Sequence, residues 1–115
     1  MIENAQIEST RLSMADHGVL TYYIDLKMGM GGHCSYGGYV LGHGYLGSKH
    51  FDGSDKSIVA LMRIMDVVGV EKWEDLKGKY VRVESNGLGT PIEKIGNVME
   101  DKWFNQKEFF ESQKD

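Results

Sequence analysis

Apolar residues recur through residues 54–68, SDKSIVALMRIMDVV, at the spacing of an amphipathic helix. At roughly 100° per residue, Ile58, Leu61, Met62, Ile64, Met65 and Val68 fall on one broad apolar face, with Lys56, Arg63 and Asp66 off it. Both ends are marked. Ser54 is a natural N-cap whose hydroxyl takes a first-turn amide, Asp55 suits the positive end of the dipole, and Gly69 suits the left-handed position after the last turn. The pattern predicts a bounded helix whose apolar face covers a sheet. Val59 and Val67 flank Arg63 on the side expected to face water. They are either ordinary exposed valines or the mark of a second subunit or ligand near Arg63.

On either side of this helix the period shortens to two. Residues 2–12, IENAQIESTRL, have weak alternation and predict an edge or partly exposed strand. Asp16-His17-Gly18 is turn chemistry, and after it Leu20, Tyr22, Ile24, Leu26 and Met28 alternate with Thr21, Tyr23, Asp25 and Lys27. That is the clearest strand in the chain, over 18–28, with its even-numbered face inward, so residues 1–28 predict an antiparallel hairpin. A third strand is expected over 33–41. Gly37 and Gly38 inside it imply a bulge or a close approach to the backbone, either a tight sheet crossing in which the glycines make room for Tyr36 and Tyr39 or a ligand cradle. Residues 42–53 read as a glycine-rich loop carrying His43, Tyr45, His50 and Phe51.

Beyond the helix, residues 70–76 predict a single helical turn that plants Trp73 and Leu76 in the core. Strands are expected over 79–85 and 92–99, joined through the Asn86-Gly87 hairpin signal. The end of the chain reads as a short amphipathic helical tail with Trp103, Phe104, Phe109 and Phe110, its last few residues frayed. The fold class expected is α+β: one small domain over 1–115, an antiparallel sheet packed by one main helix plus short C-terminal helical segments.

The 115 residues suit one core and not two. The net charge of −4, with no basic block, argues against duplex nucleic acid, although two or three local cations suffice for a small anion. A single cysteine, Cys34, excludes an internal disulfide, and no apolar run is long enough to span a bilayer. No secretory leader is recognised, so a cytosolic location is expected.

Catalytic and metal chemistry finds little support. His33, Cys34, His43 and His50 lie close in sequence, but adjacent His33 and Cys34 point to opposite faces of a strand, and no CxxC or HxxxH spacing closes a tetrahedral site. Cys34 reads as a packed side chain. Neither a GxxxxGK[ST] loop nor a strand-to-helix GxGxxG is present. The carboxylate pairs Glu74-Asp75 and Glu100-Asp101 read as surface. No metal, cofactor or catalytic residue is therefore assigned. What remains suits binding: Arg63, Arg82 and Lys102 as cations, Asn97 as donor and acceptor, and aromatic faces for a base.

Several local patterns together resemble the phage-encoded anti-Thoeris signal sponges, the type one Thoeris anti-defence proteins. They are the opening IENAQIEST, DHG before an alternating strand, the YGGYVL tract, the run VVGVEKWEDLKGKYVRVE, and IGNVMEDKWF, spread in order from residue 2 to residue 104. The resemblance implies a small α+β fold and binding without turnover. Such proteins capture glycosidically cyclised ADP-ribose isomers made by a TIR-domain enzyme, in the cytoplasm of the infected bacterial host. It also implies a homodimer or a higher multiple of dimers, with signal pockets near the dimer interface. Separate sites in the higher assemblies hold cyclic di- or trinucleotides. Arg63 and Asn97 match the family's gripping arginine and asparagine. Arg82 and Lys102 rest on chemistry alone, and the base-stacking aromatic is left open among Phe104, Trp103 and Tyr80. The alternative is a phage or bacterial protein-interaction module that contacts a protein target through its glycine-aromatic loop.

Overall fold

Two central residues with positive φ, His17 at 55° and Gly18 at 75°, turn the chain from strand β1 (Ile2–Asp16) into β2 (Val19–Met28). A two-residue loop of that hand follows the twist of the strands it joins, so the turn sets the hairpin's register from Asp16↔Val19 to Ala5↔Met28. The computed structural model describes residues 2–84 and 91–111. The Asn86-Gly87 signal, the end of the strand expected over 79–85 and the frayed terminus all lie outside the described residues.

Seven antiparallel strands form one sheet in the order β4-β3-β2-β1-β5-β6-β7. Here β3 is His33–His43, β4 Asp52–Gly53, β5 Tyr80–Glu84, β6 Lys94–Gly96 and β7 Trp103–Asn105. The architecture is the expected α+β, with one sheet face covered by helix. As expected, Tyr22, Ile24 and Leu26 of β2 point into the core, joined by Ala5, Ile7, Tyr36, Val81, Val83, Ile95 and Phe104. The bulge at Gly37 is present, and its cause is a close strand crossing: a Cβ at Gly37 would lie 2.3 Å from the Tyr22 carbonyl oxygen. The tight crossing is present, but the groups that approach Gly37 and Gly38 belong to Tyr22 and Tyr23 of β2, not to the expected Tyr36 and Tyr39.

Several boundaries differ from expectation. The strand expected over 33–41 runs on to His43, and Asp52–Gly53 pairs back against Gly42 and His43 as β4, so residues 42–53 are not wholly the loop expected. The first strand runs to Asp16 because the whole arm of the hairpin pairs. The strand expected over 92–99 shrinks to Lys94–Gly96, because the Asn97 carboxamide oxygen accepts from the amides of Met99 and Glu100 and folds the chain into a turn. Trp103 and Phe104, expected in the helical tail, form the edge strand β7, and helix α2 follows only at Gln106–Glu111.

Helix α1 (Asp55–Val68) is capped as expected: Ser54 Oγ accepts from the Ser57 amide at 3.1 Å, and Gly69 at φ 93° donates to the Met65 carbonyl. Its buried face is rotated from the expected one: Ile64 is buried and Leu61 and Val68 pack against the core, as expected, but the rest of the face differs. Ser57, Ala60, Ile64 and Val67 meet the sheet, while Ile58 and Met62, expected inside, are each 58% exposed. Val67, expected to face water, is 2% exposed. The small side chains Ser57 and Ala60 allow the helix to approach the sheet closely, and the Ser57 hydroxyl is satisfied by Ser54 at 2.9 Å. After it, a 3-10 turn (Trp73–Leu76) buries Leu76 and sets Trp73 edge-on to Tyr22, as expected of that pair.

A polar chain crosses this core. Tyr22 OH donates to Gln106 Oε1 at 2.7 Å, and Gln106 Nε2 donates to Glu93 Oε1 at 2.9 Å. Tyr39 OH donates to the same Glu93 oxygen at 3.2 Å. These bonds fasten the start of α2 to β2 and β3, and the Tyr39 ring stacks on Phe110 at 4.7 Å. Burial, followed by the charge of Glu93, pushes the Tyr39 phenol up to about 12. The more deeply buried Tyr22 and Tyr36 phenols are raised as well, first by desolvation. Among the described residues no helix is long and apolar enough to cross a membrane.

Candidate functional site

The side chains of the edge strand β7 meet groups from α1, α2, β5 and β6. Trp103 projects to the uncovered face of the sheet and lies on Gly96, where a Cβ would come within 2.6 Å of the indole. Phe104, the next residue, turns inward and is buried. Arg63 reaches over from α1, its guanidinium 4.9 Å from the Phe104 ring centroid and 5.9 Å from that of Phe109, with one N–H aimed at the Trp103 carbonyl at 3.5 Å. Lys94 of β6 places its ammonium 5.0 Å from the centre of the indole and 3.4 Å from the Glu84 carboxylate.

Together Arg63, Lys94, Trp103, Phe104, Asn105, Glu108 and Phe109 line an open cleft of about 470 Å³. A smaller cleft of about 220 Å³, lined by Glu84, Pro91, Glu93, Lys94 and Asn105, shares two of those residues. Among the described residues Arg63 pairs with no carboxylate, so its charge is directed into the cleft and onto the aromatic faces. A guanidinium held on rings keeps its remaining N–H groups in a fixed plane, which suits the forked oxygens of a phosphate or carboxylate.

The other expected binding residues divide into two groups. Arg82, Asn97 and Lys102 lie beside the cleft, but they brace the turn between β6 and β7. Arg82 donates through Nε to the Asn97 carbonyl at 2.7 Å and through Nη2 to the Glu100 carbonyl at 2.9 Å, with its guanidinium 4.7 Å from the Trp103 ring centroid. Asn97 Nδ2 donates to the Val67 carbonyl at 2.8 Å, while its oxygen holds Met99 and Glu100. Lys102 donates to both the carbonyl and the carboxylate of Asp66 at 3.2 Å. Asn97 and Lys102 therefore tie the last turn of α1 to the turn before the strand that carries Trp103, and Arg82 fastens that turn to β5.

Tyr80 stands apart from that assembly. It is exposed on the uncovered sheet face and lines a separate cleft of about 210 Å³ with Asn4, Gln6, Lys27, Met28 and Gly29. Of the three stacking candidates, Trp103 lines the main cleft with its indole on Gly96 and the Arg82 and Lys94 cations over its ring, Phe104 lines it beneath Arg63, and Tyr80 faces elsewhere.

Lys94, Asn105 and Glu108 were not singled out from the sequence, and Phe109 was named only as part of the amphipathic tail. The spacing of Lys94 and Gly96 within one strand puts them on one sheet face, and the Gly96↔Trp103 pair brings the indole there. That inference needs the 103–105 strand, which the tryptophan–phenylalanine pattern concealed. Among the described residues no three His, Cys, Asp or Glu side chains gather to hold a metal. Cys34 is half-buried with Sγ 3.5 Å from Met28 Sδ, and burial, then the nearby Glu3 charge, pushes its thiol up. No protein-family model, curated protein or solved structure matches this chain.

Proposed function

We propose that this protein binds and sequesters cyclised ADP-ribose signals without cleaving them, as a phage anti-defence sponge in the host cytoplasm. The observation that supports this reading is the convergence of the Arg63 guanidinium, the Lys94 ammonium and the Trp103 indole on one cleft of about 470 Å³. Pockets for small organic ligands run from about 300 to 1,000 Å³. Two cations suit a diphosphate, an indole suits an adenine, and a cyclised ligand has less conformational freedom left to lose on binding. The cleft is open on one side, which accords with the homodimer, or higher multiple of dimers, that the resemblance implies. Cyclic di- or trinucleotides bound at separate sites belong to the same proposal.

The test is calorimetric titration of the purified protein with cyclic ADP-ribose isomers, followed by heat denaturation and chromatography of the released ligand. Binding with recovery of intact ligand supports sequestration; recovery of an opened ring would make the protein an enzyme; no binding ends the reading.

The second reading, a protein-interaction module, is favoured by the loop between β3 and β4, where Tyr45, Leu46 and Phe51 are all exposed. It predicts no heat of binding with any nucleotide. Substituting Leu46 would leave nucleotide capture unchanged under the first reading.

A further inference from the structure

Tyr80, Gln6 and Lys27 stand in one row across three neighbouring strands, since Gln6 pairs with Tyr80 of β5 on one side and with Lys27 of β2 on the other. Adjacent strands lie about 4.8 Å apart, so the phenol and the ammonium rise from backbones about 10 Å apart, with the Gln6 side chain between them. The row lies on the uncovered face of the sheet, because the adjoining Ala5, Leu26 and Val81 are buried on the other. Asn4, two residues along β1, extends it, and there Gly29 donates to the Asn4 carbonyl at 2.8 Å. With Met28 these residues line a cleft of about 210 Å³ that shares no residue with the Arg63 cleft.

The fold leaves the polar groups of this cleft largely unused. Among the described residues the Asn4 carboxamide and the Lys27 ammonium have no hydrogen-bonding or ionic partner. Gln6 donates through Nε2 to the Gly78 carbonyl at 3.3 Å, which leaves its oxygen as an acceptor. Tyr80 is 57% exposed, and no described ring or cation covers it. No carboxylate lines the cleft, so Lys27 gives it a single positive charge.

We propose that this cleft is a second binding site, for one sugar unit that carries a carboxylate, as a uronic acid does. An aromatic ring has a negative face, which receives the slightly positive C–H groups on one side of a pyranose. The two carboxamides offer acceptors as well as donors, so a matching ligand brings hydroxyl groups in addition to its anion. A planar aromatic acid would answer Lys27 but leave the Gln6 oxygen without a donor, and polar groups left unpaired weaken binding. A nucleotide phosphate carries nearly two negative charges, which suit the two cations of the Arg63 cleft better than one ammonium. The volume lies below the about 300 Å³ at which pockets for larger organic ligands begin, and it admits a single sugar ring. Occupation of this site does not depend on what binds beside Arg63.

Amide chemical shifts of the full chain, followed by NMR during titration with glucuronate, test this. Shifts are expected at residues 4–6, 27–29 and 80, with those of β7 and α2 around the Arg63 cleft unmoved. Glucose, which lacks the carboxylate, should bind in the same place about three- to tenfold more weakly, and Lys27→Gln should remove that difference. Tyr80→Ala should abolish the shifts at 4–6 and 27–29 yet melt as the wild type does, since Tyr80 is exposed. Benzoate and adenosine monophosphate represent the competing chemistries, and tighter binding of either one at residues 27–29 would overturn the proposal. So would an absence of shifts with glucuronate, shifts confined to the Arg63 cleft, equal binding of glucose and glucuronate, or an unchanged response in Tyr80→Ala or Lys27→Gln.

Discussion

Asn97 Nδ2 donates to the main-chain carbonyl of Val67 at 2.8 Å, bonding the turn after β6 to the last turn of α1. The helix would otherwise end with that carbonyl short of a partner, and the same carboxamide organises the turn through its oxygen. Asn97 thus holds the spacing between Arg63 on the helix and Trp103 on the edge strand.

Replacing Asn97 with Ala removes three hydrogen bonds at once and is expected to lower stability by about 1–3 kcal/mol. Urea unfolding followed by tryptophan fluorescence measures this. Asn97→Asp keeps the acceptor for Met99 and Glu100 but loses the donor to Val67 and adds a negative charge at the helix C-terminus. It should unfold at a midpoint no higher than the wild type. A variant as stable as the wild type in both cases would show that the carboxamide braces nothing.

The bulge in β3 makes a second prediction about stability. Gly37 sits at φ 128° with a backbone oxygen where a Cβ would be, and that oxygen belongs to a paired strand and cannot move aside. Gly37→Ala is expected to cost more than about 2 kcal/mol, combining steric conflict with a left-handed conformation. Gly31 also has positive φ, at 99°, but nothing surrounds its Cβ position. Gly31→Ala should therefore cost only the backbone term, about 1–2 kcal/mol. Denaturation midpoints of the two variants, measured side by side, separate crowding from strain.

How much of this was legible in the sequence varied with the kind of signal. Capping residues and strict alternation located α1 and β2 closely, because Ser54, Gly69 and the even-numbered residues of β2 act through contacts near in sequence. The helix face was read rotated, with Ile64, Leu61 and Val68 inward as expected but Ile58 and Met62 outward, because Ser57 and Ala60 carry little hydrophobic weight, yet their small size lets the helix sit close to the sheet. The short strands β4 and β7 were missed since two or three residues show no period and pair only once their partners are placed. For the candidate site, Arg63 and Trp103 were legible by chemistry. Arg82, Asn97 and Lys102 have the same chemistry, but their hydrogen-bonding groups are directed at main-chain carbonyls and amides that only the folded turn brings near. Lys94 required the register of β6 against β7.

Tyr39 sets part of the alkaline limit. Burial and Glu93 raise its phenol from 10.0 to about 12 in the folded protein, so the folded state favours the neutral form. Its contribution is fully present below pH 10 and is lost as pH rises toward about 12, since the unfolded chain ionises first. Melting temperatures measured from pH 9 to 12 should fall. In Tyr39→Phe that fall should be shallower but not abolished, because Tyr22 and Tyr36 are raised too. An identical slope in the variant would remove Tyr39 from the account.

The cleft itself is tested by separating side chains that would contact ligand from those that position them. Arg63 is paired with no carboxylate among the described residues, and its aromatic contacts leave N–H groups available. Arg63→Ala is therefore expected to weaken nucleotide binding by about 1.5–3 kcal/mol, roughly ten- to a hundredfold. Lys94 shares its charge with Glu84 in a half-exposed pair, so Lys94→Ala should cost less, about three- to tenfold, and its effect should diminish as salt rises. Trp103→Ala removes the indole from the cleft and is expected to weaken binding by about 1–3 kcal/mol if a base stacks there. Asn97→Ala should lose affinity only in step with its loss of stability, and binding measured well below its melting temperature should recover most of the wild-type value. Calorimetric titration with cyclic ADP-ribose isomers, paired with a melt of each variant, reads all four. Equal affinities for Arg63→Ala and the wild type would place the ligand outside this cleft, and a large effect of Asn97→Ala in a fully folded sample would restore that carboxamide as a direct contact.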